Sequence, residues 1–146
     1  MTKKVPHWIL KTEPETFGWS HQVTEDVAVW DGVRNHQAKA NLARLKCGEL
    51  AYFYHSGKAR ELVGVVEVVR EAYPDPTDES GKWLAVDVRT FAKLQVPFAL
   101  KALKLMDELA ESALVKQSRL SVIPLRPDEA RAVFTQVKLD PIKGRA

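Results

Sequence analysis

Leu62-Val63-Gly64-Val65-Val66-Glu67-Val68-Val69 carries five β-branched residues in eight positions. Branching at Cβ crowds a helix and suits a pleated, buried surface, so this run is read as a central strand. Gly64 marks a bulge in it, or a point where other atoms come close to the backbone. Broken by Glu67, the run is also far shorter than the ~20 apolar residues a membrane helix needs.

On its N-terminal side, Leu50 to Ser56 alternates, with Leu50, Tyr52, Tyr54 and Ser56 on one face and Ala51, Phe53 and His55 on the other. Aromatics occur on both faces, so neither is simply wet. Ser56-Gly57-Lys58 makes a turn. On the C-terminal side, Glu71 to Glu79 holds two prolines and four acids with no base, which reads as a stiff exposed loop. Trp83 to Arg89 returns as a strand with Leu84, Val86 and Val88 inward. Further out, Val27 to Trp30 is extended, as are His7 to Lys11, Val96 to Phe98 and Ser118 to Ile123. The first strand stops at Thr12-Glu13-Pro14, because the residue before a proline is pushed out of the helical region.

Between these lie short helices. Glu15 to Glu25 supplies one or two turns, with Phe17 and Val23 inward. Asn35 is a helix N-cap ahead of Ala38, Leu42 and Leu45 at helical spacing, with Gly48 as the closing cap. Leu100 to Leu114 has helical spacing with a break near Met106-Asp107. Pro127 opens a last helix, with Asp128 and Glu129 at its positive end and Ala130, Val133, Phe134 and Val137 as its apolar stripe. About five or six strands without regular long helices between them disfavour a doubly wound parallel sheet. The expected class is α+β: a strongly bent mixed sheet or β-barrel with peripheral short helices. Residues 1–146 form one domain, with 1–6 and 139–146 as loose termini.

Composition narrows the function classes. A chain of 146 residues, 45% hydrophobic and 28% charged, can bury a core without staples. Its 22 basic and 19 acidic residues leave +3, which permits an anionic partner without demanding one. One cysteine, Cys47, with no secretory signal pattern, points to a soluble protein of a reducing, cytoplasmic setting with no membrane partner. His7, His21, His36 and His55 fall in separate segments, so no metal is expected. Glycine-rich phosphate loops and a Gly-x-Ser-x-Gly elbow are missing, so no cofactor is expected either.

The chemistry that is present is aromatic and hydrogen-bonding. Val29-Trp30-Asp31-Gly32-Val33-Arg34-Asn35 sets an indole beside a carboxylate, a guanidinium and a carboxamide, a set suited to a planar heterocycle with a polar edge. The same residues also read as a core tryptophan, a tight turn and a helix cap. Lys11, Thr12 and Glu13 are an unusual polar cluster at a strand end. Candidate pocket residues are Trp30, Asp31, Asn35, Lys11, Thr12, Glu13, Tyr54, Ser56 and Ser118, with Arg34, Arg119 and His55 at a phosphate or at the pocket rim.

Lys11-Thr12-Glu13-Pro14, Trp30 to Asn35, Phe53-Tyr54-His55-Ser56, Glu71 to Pro76 and Gln117 to Val122 stand in one order, and together they closely resemble the EVE domain family from about Trp8 to about Phe134. The resemblance implies a PUA-like fold related to the YTH readers of methylated adenine. It implies a pocket for a flipped, modified base of the methylated cytosine type, in DNA or RNA, with Trp30 as stacking wall and Asp31 at the base edge. Lys11, Thr12 and Glu13 resemble the segment lining that pocket, and Ser118 and Arg119 its far rim and phosphate contact. The expected function is a non-catalytic nucleic-acid-binding module. An enzyme using Lys11, Asp31 or His55 and a sensor of free nucleosides are the rival readings; oligomeric state is not legible.

Overall fold

The computed structural model describes residues 4–142. Strand β1 (Trp8–Thr12) leads through helices α1 (Pro14–Phe17) and α2 (Trp19–Glu25) into β2 (Val27–Trp30). Helix α3 (His36–Leu42) precedes β3 (Leu50–His55), and two long strands follow, β4 (Glu61–Pro74) and β5 (Leu84–Ala99). A broken helical segment comes next: α4 (Leu100–Lys104), a 3-10 turn (Asp107–Leu109) and α5 (Ala113–Lys116). Strand β6 (Val122–Pro124), helix α6 (Pro127–Gln136) and β7 (Leu139–Pro141) complete the described chain.

The α+β class holds, and the sheet is mixed: β1 pairs with β3 in parallel and every other pairing is antiparallel. Its order is β2-β5-β4-β3-β1-β6, with β7 on β5, so the valine-rich run sits near the middle as β4. Strands β2 and β6 end the path without pairing to each other; α3 packs against both β6 and β5. Between β4 and β5 the register shifts four times, from Leu62/Gly64 to Arg70/Tyr73. Each shift bends and twists the strands, which lets two strands of this length curve around one core. That core takes Ile9, Leu10, Tyr52, Phe53, Leu62, Val65, Val66 and Leu94 from the sheet, and Leu42, Leu103 and Val133 from the helices.

Gly64 has its reason in Trp19. The indole at the start of α2 lies directly on the glycine, in the space a Cβ would need, and packs edge-on to Phe53 at 5.2 Å. A close approach by a ring thus accounts for the glycine, beside one of the register shifts.

Several expectations need correction. Among the described residues the sheet has seven strands, because Leu139–Pro141 pairs with Leu94–Ala92 instead of belonging to a loose tail; residues 143–146 lie outside the described residues. At the other end, Val5 packs on the core and Pro6 is buried, so looseness does not extend to them; residues 1–3 lie outside the described residues. Val23 faces outward, 46% exposed. Helix α3 stops at Leu42, and Gly48 instead makes a turn at φ 90°, its N–H donating to the Val68 carbonyl. The acidic stretch is not simply an exposed loop: β4 runs through Tyr73 and Pro74, and Asp75 is buried.

Candidate nucleic-acid pocket

The end of β1, helix α1 and the segment after β2 enclose a cavity of about 600 Å³. Lys11, Thr12 and Glu13 supply one wall, Thr16 and Phe17 another, and Val29 to Arg34 a third, with Glu25 and Ser121 completing it. Trp30 is only 6% exposed. Its indole is held edge-to-face by Phe53 at 5.4 Å and Phe17 at 6.1 Å. The stacking wall expected of it is therefore the rim of a packed aromatic cluster, anchored in the core and touching the cavity.

What shapes the loop after Trp30 is Asp75, a residue that sequence reasoning missed. Its Oδ2 accepts the Gly32 N–H at 2.8 Å and Arg34 Nη1 at 2.9 Å, while Oδ1 accepts the Thr77 N–H and hydroxyl. Burial alone would raise this carboxyl, but the bonds from Thr77, Arg34 and Gly32 prevail and hold it well below the usual carboxylate range. Gly32 sits at φ 79°, a left-handed conformation open to glycine, and this lets its amide turn toward Asp75. Arg34 is thus a half-exposed clamp on the loop as well as a rim cation.

Asp31, next to this clamp, is pushed the opposite way. Partial burial, then repulsion from Asp75, raise its carboxyl above the ordinary aspartate value, with Arg34 offsetting part of the effect. Across the cavity, burial lowers the Lys11 ammonium below the ordinary lysine value, and its Nζ donates to the Ser118 carbonyl at 2.7 Å. Phe17 and Trp30 give the cavity its aromatic surface, and the polar side chains around it present both acceptors and donors.

The remaining candidates do not join this cavity. Tyr54, Ser56 and Ser118 line a second one of about 420 Å³ on the other side of Lys11. Asn35 and Arg119 border a third recess, of about 300 Å³, near Ser118. Asn35 is committed elsewhere, its Oδ1 capping α3 through the Ala38 N–H at 2.9 Å. His55 is not at a rim: its Nε2 accepts the Trp19 N–H at 3.0 Å, pinning α2 to β3, so it does not meet Lys11 and Asp31. Phe17, Thr16, Glu25 and Ser121 were also missed, since nothing in their spacing signals a shared cavity. Among the described residues, no group of three or more His, Cys, Asp or Glu is placed to hold a metal, and no helix is long and apolar enough to cross a membrane.

The EVE domain model matches residues 6–136 of the chain. The protein belongs to the EVE domain family. Human thymocyte nuclear protein 1 is 30% identical to this EVE domain over 92% of its length and 75% of the human protein's. A solved structure from Rhodopseudomonas palustris shares 43% identity at a TM-score of 0.82, covering 90% of this chain and 92% of the other. The human THYN1 protein in complex with DNA containing 5-methylcytosine shares 31% identity at a TM-score of 0.80, covering 89% and 96%. The PUA-like fold of the EVE domain is therefore established, together with its place among thymocyte nuclear protein 1 homologues.

Proposed function

We propose that this EVE domain is a non-catalytic nucleic-acid-binding module whose 600 Å³ cavity accepts a flipped, methylated cytosine-type base from DNA. The observation that carries the reading is the meeting of Lys11-Thr12-Glu13 with Trp30-Asp31 around one cavity that Phe17 also lines. Its size falls in the ~300–1,000 Å³ range of small-molecule sites. Cytosine offers an exocyclic amine donor, a ring-nitrogen acceptor and a carbonyl acceptor. Asp31 and Glu13 suit the amine, and Lys11 and Thr12 suit the acceptors. A 5-methyl group finds apolar surface on Phe17, Val29 and Val33. The complex of a human relative with 5-methylcytosine DNA favours the same chemistry.

Magnitudes set the outcome. Burying one methyl group contributes about 0.8 kcal/mol, so methylated DNA binds about fourfold more tightly than unmodified DNA. A charge of +3 gives little backbone attraction, so an unmodified duplex binds weakly and salt weakens it further. Anisotropy titrations of methylated and unmodified oligonucleotides test this with Asp31→Asn, and with Trp30→Phe in place of the alanine variant that would open the core. Equal affinity for both oligonucleotides, unmoved by Asp31→Asn, overturns the reading. A free nucleoside binding as tightly as the oligonucleotide would make the domain a nucleoside sensor instead. A cytoplasmic setting is part of the same proposal, supported by the single exposed Cys47.

A further inference from the structure

The second cavity, about 420 Å³, shares only Lys11 with the first. Lys11, Arg60 and Lys104 line it, with hydroxyls from Tyr54, Ser56 and Ser118, and its lining contains no carboxylate. None of the three cations forms an ion pair among the described residues. On a chain of only +3, three unpaired cations around one recess are a local excess of charge.

The fold holds this arrangement. Arg60 adopts φ 49°, a left-handed conformation unfavourable for a residue with a Cβ. Its Nε donates to the Gly57 carbonyl at 3.0 Å, and its own carbonyl accepts the Leu100 N–H at 2.8 Å. The turn between β3 and β4 is thereby docked on the start of α4, which carries Lys104. Lys11 reaches the recess from β1, its Nζ 5.4 Å from the centre of the Tyr54 ring.

We propose that this second cavity is a phosphate subsite, taking a backbone phosphate of the nucleotide next to the one whose base enters the Trp30 cavity. The inference rests on the function proposed above and adds a second, sequence-independent contact to it. Lys11 stands on the boundary of both cavities, so a strand can place its base on one side of this lysine and a neighbouring phosphate on the other. Lysine and arginine supply the charge, and the hydroxyls supply donors of the kind that position backbone phosphates.

The test is a salt titration of binding to a short single-stranded oligonucleotide carrying one 5-methylcytosine, for the wild type, Lys104→Gln and the Arg60→Gln/Lys104→Gln pair. Each phosphate neutralised by the protein contributes roughly 0.7 to the slope of log K against log salt on a single strand. With one phosphate lost from the recess, the double variant is expected to flatten the slope by roughly 0.7 and weaken binding about tenfold at low salt, while affinity for the free methylated nucleoside stays unchanged. Lys104→Gln alone, on an exposed side chain, reports about half the change should Arg60→Gln disturb the turn. An unchanged slope with methylated DNA still bound overturns this inference and leaves the base pocket standing. A parallel titration with inorganic phosphate follows the amide signals of Ser56, Gly57 and Ser118. If those move while wild-type protein binds no methylated oligonucleotide, the recess takes a free phosphorylated molecule and the backbone assignment fails together with the base reading. No movement and no binding overturn both.

Discussion

Asp75 accepts the backbone N–H of Gly32 at 2.8 Å, tying the connection that follows β4 to the loop that follows β2. A buried carboxylate thus shapes the wall of a cavity to which it does not itself contribute surface. Arg34 completes the tie at 2.9 Å, with Asp75 fully buried and the guanidinium half-exposed.

Asp75→Asn is expected to cost about 3 kcal/mol, because charge-assisted bonds are lost and Arg34 is left beside a neutral group. Urea denaturation measures this. Acid should reveal the same residue. Its folded-state pKa lies below the ordinary ~3.9 of an unfolded aspartate. Its stabilisation is therefore complete above about pH 5 and drains away as pH falls through and below 4. A wild-type denaturation midpoint that falls no more steeply than that of Asp75→Asn between pH 5 and 2 would refute the assignment.

Asp31 carries the opposite sign. Its carboxyl is raised by burial and by Asp75, so ionisation works against folding once the pH exceeds the ordinary aspartate value. Asp31→Asn should leave stability at pH 7 equal or higher by less than about 0.5 kcal/mol, since the side chain is largely exposed and solvent screens it. Binding should move the other way, weakening about tenfold or more for methylated oligonucleotides as a carboxylate acceptor is lost. Binding by wild type should also weaken as pH falls through the raised Asp31 value. Flat affinity from pH 7 to 4 would remove Asp31 from base recognition.

Asn35→Ala removes the cap that meets the Ala38 N–H, at about 1 kcal/mol of stability. Discrimination between methylated and unmodified oligonucleotides should survive intact once the variant is folded. A change in that ratio would show that the carboxamide reaches the base after all.

Gly64→Ala forces a Cβ into the Trp19 indole. Overpacking of this kind costs roughly 1–3 kcal/mol, and here it pushes α2 away from β3, stretching the Trp19 to His55 bond. Thermal melts together with the hydrogen-exchange rate of the Trp19 amide would register both effects. A melting temperature equal to the wild type's would contradict the contact.

How much of this was legible in the residues differs between strands and site. Side-chain branching marked β4, and capping chemistry marked α3 and α6, since those signals act within one turn or one strand. The seventh strand was invisible because Leu139-Asp140-Pro141 has little strand character of its own and depends on β5 for its partners. In the site, Trp30-Asp31 and Lys11-Thr12-Glu13 were each conspicuous as clusters. Tyr54, Ser56 and Ser118 were conspicuous too, but adjacency in a motif does not say on which side of Lys11 a residue opens.

The order of residues by itself determined most of the local elements, the family and the chemical kinds of group available, because periodicity, capping and motif order are properties of neighbours along the chain. Only the folded arrangement decided that Asp75 would hold Gly32, that Trp30 would lie packed at the cavity's edge, and that one lysine would divide two recesses. These depend on contacts between residues far apart in sequence, 107 positions for Lys11 and Ser118. Such contacts exist only once β4 and β5 have bent around the core and carried their loops together.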